Sequence, residues 1–325
     1  MLGTSTVLTP AAAPPAALES LARVESLLTE PAIDAGETTI ERRSRLSYRE
    51  FVYEYQRKRR PVVLTDATGS WAARNWTPEV LRSKLGAREI HFRDATRTWK
   101  FDELCDAIVQ STAAQPAPYA RNIDVLRNLP ELAADISPRL TYATPDWKST
   151  QLLPKDWLFP NGLEELFFGG AGARFPSLHV DYYGMDGFIS QLYGHKDFLI
   201  FAPSDGPYLH TKADNPLVSA IDNFDTPDYA RFPLLRQATP IRFTLRPGET
   251  FYQPNGWWHT TAMRGVSITV ITQTWNADNW PVLIEEYKRS ALKNGQLPLK
   301  SRVCAAYLKT VGCLLSMRDR LSHRI

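Results

Sequence analysis

The chain has 325 residues, 43% of them hydrophobic and 22% charged, so it can bury a large core and lacks the bias of a disordered or fibrous protein. Its formal net charge is only +3, and its basic run Arg57–Arg60 is typical of a solvated helix end, which argues against a nucleic-acid partner. No segment approaches the roughly 18 apolar residues that a membrane helix needs, so no membrane partner is expected.

The first residues and the cysteines bear on the cellular compartment. Residues 1–18 are rich in alanine and proline and lack the basic start and apolar core of a signal peptide, so we expect a disordered leader. Cys105, Cys304 and Cys313 are dispersed and form neither a metal-spaced pair nor a disulfide framework. These features predict a cytoplasmic protein.

Between residues 19 and 112 the pattern alternates between helix and strand. Ser47 and Glu50 have the form of a capping box, and apolar residues at helical spacing follow them. Thr77 has the form of the N-cap of a second helix, which would end at Gly86. Further predicted elements are strands at 61–64 and 89–93 and a helix at 101–109. Residues 113–165 are rich in proline and predict loops.

From residue 166 to 276, short β-rich runs alternate with turn signals such as Gly194-His195 and Pro254-Asn255-Gly256. Many short strands with regular turns predict a sandwich or a small barrel, hence an α+β fold with a mainly β core. Residues 281–325 predict a pair of helices, the second with one apolar stripe that either packs on the β core or forms a homodimer interface. The stripe consists of Val303, Tyr307, Leu308, Val311, Leu314 and Leu315.

A candidate metal site lies at the start of one predicted strand. Side chains alternate along a strand, so His179 and Asp181 point to the same face. A third ligand must come from another strand, and His259, which follows the turn at Pro254, is the candidate. Two histidines and one carboxylate leave three coordination positions open, as in non-haem Fe(II) oxygenases, whereas a structural zinc site is closed. The alternative for an isolated His-x-Asp is a hydrogen-bonded pair or a core histidine.

Lys196 is a candidate for binding an anion. It follows the turn Gly194-His195 and shares one strand face with Phe198 and Ile200. A cation on an otherwise apolar face requires an anionic partner, because a buried unpaired charge is prohibitive. The alternative is a lysine at the edge of the turn, in water.

Taken together, these motifs resemble the JmjC and cupin-like (cupin-8) family of Fe(II)- and 2-oxoglutarate-dependent oxygenases, and within it the asparaginyl hydroxylases. The resemblance covers roughly residues 40–280 and is strongest over 178–203, 222–233 and 247–275. It implies one domain at 19–280, built as a double-stranded β-helix (jelly-roll, or cupin) barrel with its core at 166–276 and with helices around it. The pair of helices at 281–325 would follow this domain.

The resemblance also implies the chemistry. His179, Asp181 and His259 would be the catalytic centre and would hold Fe(II), with O2 and 2-oxoglutarate as co-substrates. Lys196 matches the family lysine that binds the distal carboxylate of 2-oxoglutarate, and Tyr119 matches a tyrosine that shares this carboxylate. Oxidative decarboxylation of 2-oxoglutarate to succinate and carbon dioxide would accompany the hydroxylation.

Other polar residues are predicted around the cofactors. Ser190 and Thr272 are expected to face the same interior and to donate hydroxyl groups to 2-oxoglutarate. The sequence departs from the family at Pro176, at Ile271 and in the Gly-rich insertion at 182–187. These departures leave the ligand triad intact and change the residues around it.

Candidate substrate contacts follow the metal ligands directly. Tyr182, Tyr183 and Asp186 lie in the insertion and would line the substrate pocket, and Trp258 would wall its entrance. We expect hydroxylation of an unactivated C–H bond in a protein or peptide side chain. A small-molecule hydroxylase of the same mechanism and a non-catalytic cupin-type binding module are the alternatives.

Overall fold

The computed structural model describes residues 40–154, 157–158, 164–293 and 297–322, and its core consists of two β-sheets. The predicted leader, 1–18, lies outside the described residues. The strands are β1 (Arg42–Arg43), β2 (Val62–Leu64), β3 (Glu89–Ile90), β4 (Trp99–Lys100), β5 (Ala120–Asp124), β6 (Glu164–Gly169), β7 (Asp186–Tyr193), β8 (Lys196–Phe201), β9 (Ile241–Leu245), β10 (Thr250–Gln253), β11 (Trp258–Ala262) and β12 (Ser267–Thr274).

The larger sheet has seven strands in the order β1-β2-β10-β7-β12-β6-β5, and the smaller has three in the order β11-β8-β9. The edge pair β1–β2 is parallel, while the neighbours inside the larger sheet and the strands of the smaller sheet pair antiparallel. Strands β3 and β4 form a separate two-stranded ribbon. The prediction of a mainly β core with surrounding helices is therefore confirmed.

The two sheets pack face to face. The rings of Phe198 on β8 and Phe251 on β10 lie 5.2 Å apart between their centroids, in an apolar cluster that also includes Ile189. Phe188 and Val270 point to the other face of the larger sheet, where they join the cluster that the N-terminal helices cover. The inner strands of the larger sheet thus have one face toward the space between the sheets and one toward the helices.

Four short α-helices contribute to that outer layer: α1 (Tyr48–Phe51), α2 (Pro78–Leu85), α3 (Phe101–Gln110) and α4 (Val125–Asn128). The predicted capping box is confirmed, because the Glu50 amide donates to Ser47 Oγ while the Ser47 amide donates to the Glu50 carboxylate. Thr77 caps α2 and Gly86 ends it, as predicted. Gly86 has a φ of +51°, in the left-handed region that glycine tolerates.

The chain ends in two longer helices, α5 (Trp280–Lys293) and α6 (Pro298–Leu321). The apolar stripe predicted for α6 is buried along one edge and exposed along the other. Leu308, Val311 and Leu315 are buried against a cluster that contains Trp147 and Trp280. The other members, Val303, Tyr307 and Leu314, are exposed. None of the helices in the described part of the chain is long and apolar enough to cross a membrane.

Candidate metal centre

Two of the predicted ligands lie directly opposite each other in the backbone. The His179 amide donates to the His259 carbonyl at 3.0 Å, and the His259 amide donates back to the His179 carbonyl at 2.8 Å. Asp181 lies two residues further on the same side, and its Oδ1 is 3.6 Å from His179 Nε2 and 3.9 Å from His259 Nε2. The structure therefore brings the three side chains together, with ligand atoms that all lie within 4.8 Å of one another.

Backbone carbonyls fix the tautomer of both imidazoles. His179 Nδ1 lies 3.2 Å from the Ser177 carbonyl, and His259 Nδ1 lies 3.3 Å from the Trp257 carbonyl. A carbonyl oxygen only accepts hydrogen bonds, so each Nδ1 carries the proton and each Nε2 has a free lone pair. The Phe175 ring stacks on the His179 ring at 4.3 Å and fixes its plane. Both imidazoles are thus oriented to bind a metal through Nε2.

The protonation states also suit a metal. Burial and the neighbouring His179 lower the pKa of His259 to about 4, so this imidazole is neutral at physiological pH. Burial alone would raise the pKa of Asp181, but its interactions with His259, His179 and Gln253 hold it below its usual value. Gln253 Nε2 donates to Asp181 Oδ2 at 3.2 Å and lies 3.5 Å from His259 Nε2. A neutral His259 and an ionised Asp181 suit the binding of a divalent metal ion.

Lys196 lies in the same pocket as the triad. Its side chain is buried, and Nζ donates to the Tyr119 hydroxyl at 3.3 Å, between the rings of Tyr119 and Phe167. Burial lowers the pKa of Lys196 to about 7, and no carboxylate among the described residues counters this effect. A buried ammonium group with one hydroxyl partner is incompletely satisfied, so this end of the pocket suits an anion.

Comparison with known proteins agrees with this geometry. Residues 48–277 match the model of the cupin-like domain family. The chain belongs to this family. The fold class and the family that the sequence motifs indicate, that of 2-oxoglutarate-dependent oxygenases, are thereby confirmed.

Several characterised proteins are similar to this cupin-like domain. HSPB1-associated protein 1 of Bos taurus is 28% identical over 251 residues, which cover 70% of this chain and 49% of that protein. Lysine-specific demethylase JMJ21 of Arabidopsis thaliana is 31% identical over 259 residues, or 74% of this chain and 26% of that protein. tRNA wybutosine-synthesizing protein 5 of Homo sapiens is 26% identical over 244 residues, which cover 69% of this chain and 75% of that protein. The chain spans less than half the length of the HSPB1-associated proteins.

The ligand set of the cupin-like domain fits Fe(II). Within the described residues, His179, Asp181 and His259 are the group of three or more side chains placed to hold a metal ion. Two imidazoles and one carboxylate suit a borderline divalent ion, and three protein ligands leave positions for further ligands. A closed structural site would need a fourth protein donor.

The predicted contacts of Ser190 and Thr272 with 2-oxoglutarate are wrong. Ile189 and Ile271 line the pocket, so the next residue on each strand faces the helices instead. Ser190 Oγ lies 3.0 Å from the Thr250 hydroxyl in the buried outer face of the sheet. Neither predicted hydroxyl reaches the Lys196 end of the pocket.

Asp186 is also placed differently from the prediction. It is 2% exposed and accepts four hydrogen bonds at 2.9–3.1 Å: from the Tyr252 hydroxyl, from the amide and the side chain of Asn255, and from the side chain of Asn276. Burial raises its pKa, and these donors oppose the rise. The carboxylate joins three segments of the chain and has no oxygen left for a substrate, so its predicted substrate role is wrong.

The predicted aromatic substrate contacts lie outside the pocket lining. Trp258 points away from the ligands because its neighbour His259 points inward, and it packs with Leu199 and Phe201. Tyr182 is 47% exposed, and its hydroxyl accepts from Asn215 Nδ2 at 2.7 Å. Tyr183 packs against the cluster that includes Trp280 and Trp275. These placements do not support the predicted substrate contacts.

The sequence interpretation missed two glutamines of the pocket, Gln253 and Gln273. Gln253 shares the inward face of β10 with Phe251, and Gln273 shares that of β12 with Ile271. A polar residue on an otherwise apolar inward face was the signal that would have identified them.

Proposed function

We propose that this cupin-like domain is a Fe(II)- and 2-oxoglutarate-dependent dioxygenase that hydroxylates an unactivated C–H bond. The observation that carries the proposal is the presence of buried Lys196 in one pocket with His179, Asp181 and His259. The three ligands would hold the metal and leave positions for a chelating co-substrate and for O2. Bound iron and 2-oxoglutarate would supply the oxidising chemistry.

The protein's own residues bind and orient 2-oxoglutarate, and they exclude water from the pocket. Lys196 and Tyr119 offer a charge and a hydroxyl to the distal carboxylate of 2-oxoglutarate, a charge-assisted contact that is strong in a buried site. Phe167 and Phe198 line the same pocket and keep it apolar between its polar ends. The carbonyl of Ser177 holds the first imidazole in place.

We propose a protein or peptide side chain as the substrate. Two similar proteins from Arabidopsis thaliana support this class by name, lysine-specific demethylase JMJ21 and arginine-specific demethylase JMJ20. A small-molecule hydroxylase of the same mechanism would give the same succinate formation but would turn over free amino acids rather than peptides. The cytoplasmic location stays a prediction.

The exposed face of α6 supports a proposed homodimer. Val303, Tyr307, Leu314, Met317 and Leu321 are all at least 44% exposed. Their separations of four, seven, three and four residues place them along one seam of the helix, at the spacing that helices use to pair. A second copy of the chain presents the same seam and can cover it.

The first test is succinate formation from 2-oxoglutarate after anaerobic loading with Fe(II), with wild type compared with His179→Ala and Lys196→Ala. We expect His179→Ala to abolish turnover, and Lys196→Ala to remain slow even at high 2-oxoglutarate. Matched controls are His91→Ala and Lys212→Ala, which change exposed residues and should retain wild-type turnover. A wild-type protein that binds neither iron nor 2-oxoglutarate would instead be a binding module.

A further inference from the structure

A row of three residues forms the pocket wall beside Asp181. Gly187 on β7 pairs with Gln253 on β10 and with Gln273 on β12. Directly paired residues of neighbouring strands share one face of a sheet, so the two glutamines flank a position without a side chain. Both glutamines line the same pocket as the metal ligands.

The polar atoms left free along this wall are hydrogen-bond acceptors. Gln253 donates its Nε2 to Asp181, which fixes the amide plane, so its Oε1 is the free end; this oxygen is buried without a partner. The Oε1 of Gln273 is likewise buried and unpartnered. Gln253 is only 2% exposed, so solvent reaches little of it. Buried acceptors without a donor are rare in folded proteins and are a reason to expect a ligand.

A carboxylate adds to this set. Glu165 on β6 pairs with Ile271, a residue of the pocket lining, so both point toward the space between the sheets. Its Oε2 accepts from Asn122 Nδ2 at 3.0 Å, whereas its Oε1 is buried without a partner. Glu165 is 1% exposed. The wall thus offers three acceptor oxygens, one of them on a carboxylate.

Gly187 leaves room for a ligand beside the metal centre. A Cβ atom built there would lie 3.5 Å from Ile189 Cδ1, 3.8 Å from Gln253 Cβ and 3.9 Å from Asp181 Oδ2. These are ordinary van der Waals distances, so packing does not force a glycine at this position. The missing side chain instead keeps a methyl-sized space open between the two amides.

We infer that this wall binds a substrate group that carries two or more N–H donors, such as a carboxamide, an ammonium or a guanidinium group. A group with two or more N–H donors can donate hydrogen bonds to at least two of the buried oxygens. A single hydroxyl can donate to one of them, and a carboxylate or phosphate to none. An ionised Glu165 favours a cationic donor, since a buried carboxylate gains from an opposite charge, and Lys148 is a cation that already acts on it. This inference rests on the proposed function for its link to catalysis, but the binding it describes is measured without turnover.

The test uses saturation-transfer NMR with small probes, with redox-inactive Zn(II) in place of iron. Saturating 2-oxoglutarate is present, so that the Lys196 end and the open metal positions are occupied and cannot bind acetate. The probes are acetamide, methylammonium and methylguanidinium, with acetate and tert-butanol as probes that lack N–H donors. Calorimetric titration of Zn(II) reports separately whether the triad binds metal. Failure of Zn(II) binding contradicts the proposed metal centre, while the probe spectra still report on the wall.

We expect the N–H probes to bind and the two other probes to show no saturation transfer. Gln273→Leu and Gly187→Ala should weaken N–H probe binding about tenfold, roughly the loss of one well-made hydrogen bond. The matched controls Gln151→Leu and Gly265→Ala change an exposed glutamine and a glycine whose added Cβ would meet open space. They should bind the probes as wild type does.

The N–H probes also distinguish the kind of donor. If the wild-type protein prefers the cationic probes and Glu165→Gln abolishes that preference, the result would support an ionised Glu165 in the wall. A preference for acetamide would support a neutral carboxamide as the substrate group. Equal binding of acetate or tert-butanol would overturn the inference. So would unchanged probe affinity in both Gln273→Leu and Gly187→Ala, with folding of each variant confirmed by its melting temperature.

Discussion

The two ends of the pocket leave opposite kinds of polar group without partners. At one end Lys196 is a buried cation with the Tyr119 hydroxyl as its neighbour. At the other end Gln253, Gln273 and Glu165 present buried acceptor oxygens. One ligand of a single charge cannot satisfy both ends. The difference therefore indicates two ligands, an anion at the lysine and a donor-rich group at the glutamines, with the metal ligands between them.

The largest expected effect is that of Lys196→Met on 2-oxoglutarate binding. Removal of one partner of a buried ion pair is strongly destabilising, so we expect the affinity to fall by about 100- to 1,000-fold. Gln273→Leu, at the other end, should change this affinity by less than about twofold, since no contact there is lost. Isothermal titration of 2-oxoglutarate measures both. Similar losses in the two variants would show that the ends do not act independently.

Within the glutamine end, the metal centre should depend on Gln253 more than on Gln273. Gln253 donates to the ligand Asp181, whereas Gln273 makes no such contact. Loss of a partner that orients a metal ligand typically weakens metal binding by about 10- to 100-fold, which we expect for Gln253→Leu. Competition with a chelator measures the affinity, and Gln273→Leu and Gln151→Leu serve as controls. Equal metal affinity in Gln253→Leu and wild type would contradict a positioning role for this glutamine.

Only the lysine end should give a pH dependence of co-substrate binding. The pKa of Lys196 is about 7 in the folded protein because of burial, and its ordinary value is 10.5. Below pH 7 the lysine is charged and ready to pair, but above pH 7 it must take up a proton to bind an anion. Affinity for 2-oxoglutarate should therefore fall by up to about tenfold per pH unit between pH 7 and 10. Lys196→Arg stays charged and should remove this slope.

The same shift predicts the pH dependence of stability without 2-oxoglutarate. Between pH 7 and 10.5 the unfolded chain keeps this proton while the folded protein loses it. The contribution of Lys196 to the free energy of unfolding should then rise with pH across this window. Urea denaturation at several pH values measures the slope, which Lys196→Met should remove. A slope that persists unchanged in this variant would assign it to another group.

We expect the smallest effect on the pocket from a substitution in the exposed seam of α6. Leu314→Gln places a polar side chain in the proposed dimer interface and should shift the protein from dimer to monomer, with kcat/KM changed by less than about twofold. Light scattering after size-exclusion chromatography measures the mass. Lys309→Gln, on an exposed position of the same helix, is the control. A wild-type monomer would contradict the proposed interface.

The alternation of side chains along single strands predicted much of the site. The errors come from pairing between strands that are far apart in the sequence. The shared face of His179 and Asp181, and the inward face of Lys196, follow from counting residues within one short segment. Counting failed for Ser190 and Thr272 because β7 and β12 are buried on both faces. Which face of such a strand points toward the metal ligands depends on its pairing with strands far away in the sequence.

Asp186 was misread for a related reason. In the sequence it is a lone carboxylate in a Gly-rich insertion, which suggests exposure. Its donors Tyr252, Asn255 and Asn276 lie 66 to 90 residues further along the chain. Only the folded sheet brings them together, so their effect on Asp186 could not be read from its neighbours in sequence.

The reciprocal backbone hydrogen bonds between His179 and His259 also bear on how long a metal ion stays bound. The peptide groups, rather than the side-chain rotamers alone, hold the two imidazoles at their separation. Any opening of the fold that separates the two ligands must first break this pair, so local unfolding at this point would also release the metal. Slow amide exchange at these two histidines would then accompany a long residence time of the metal.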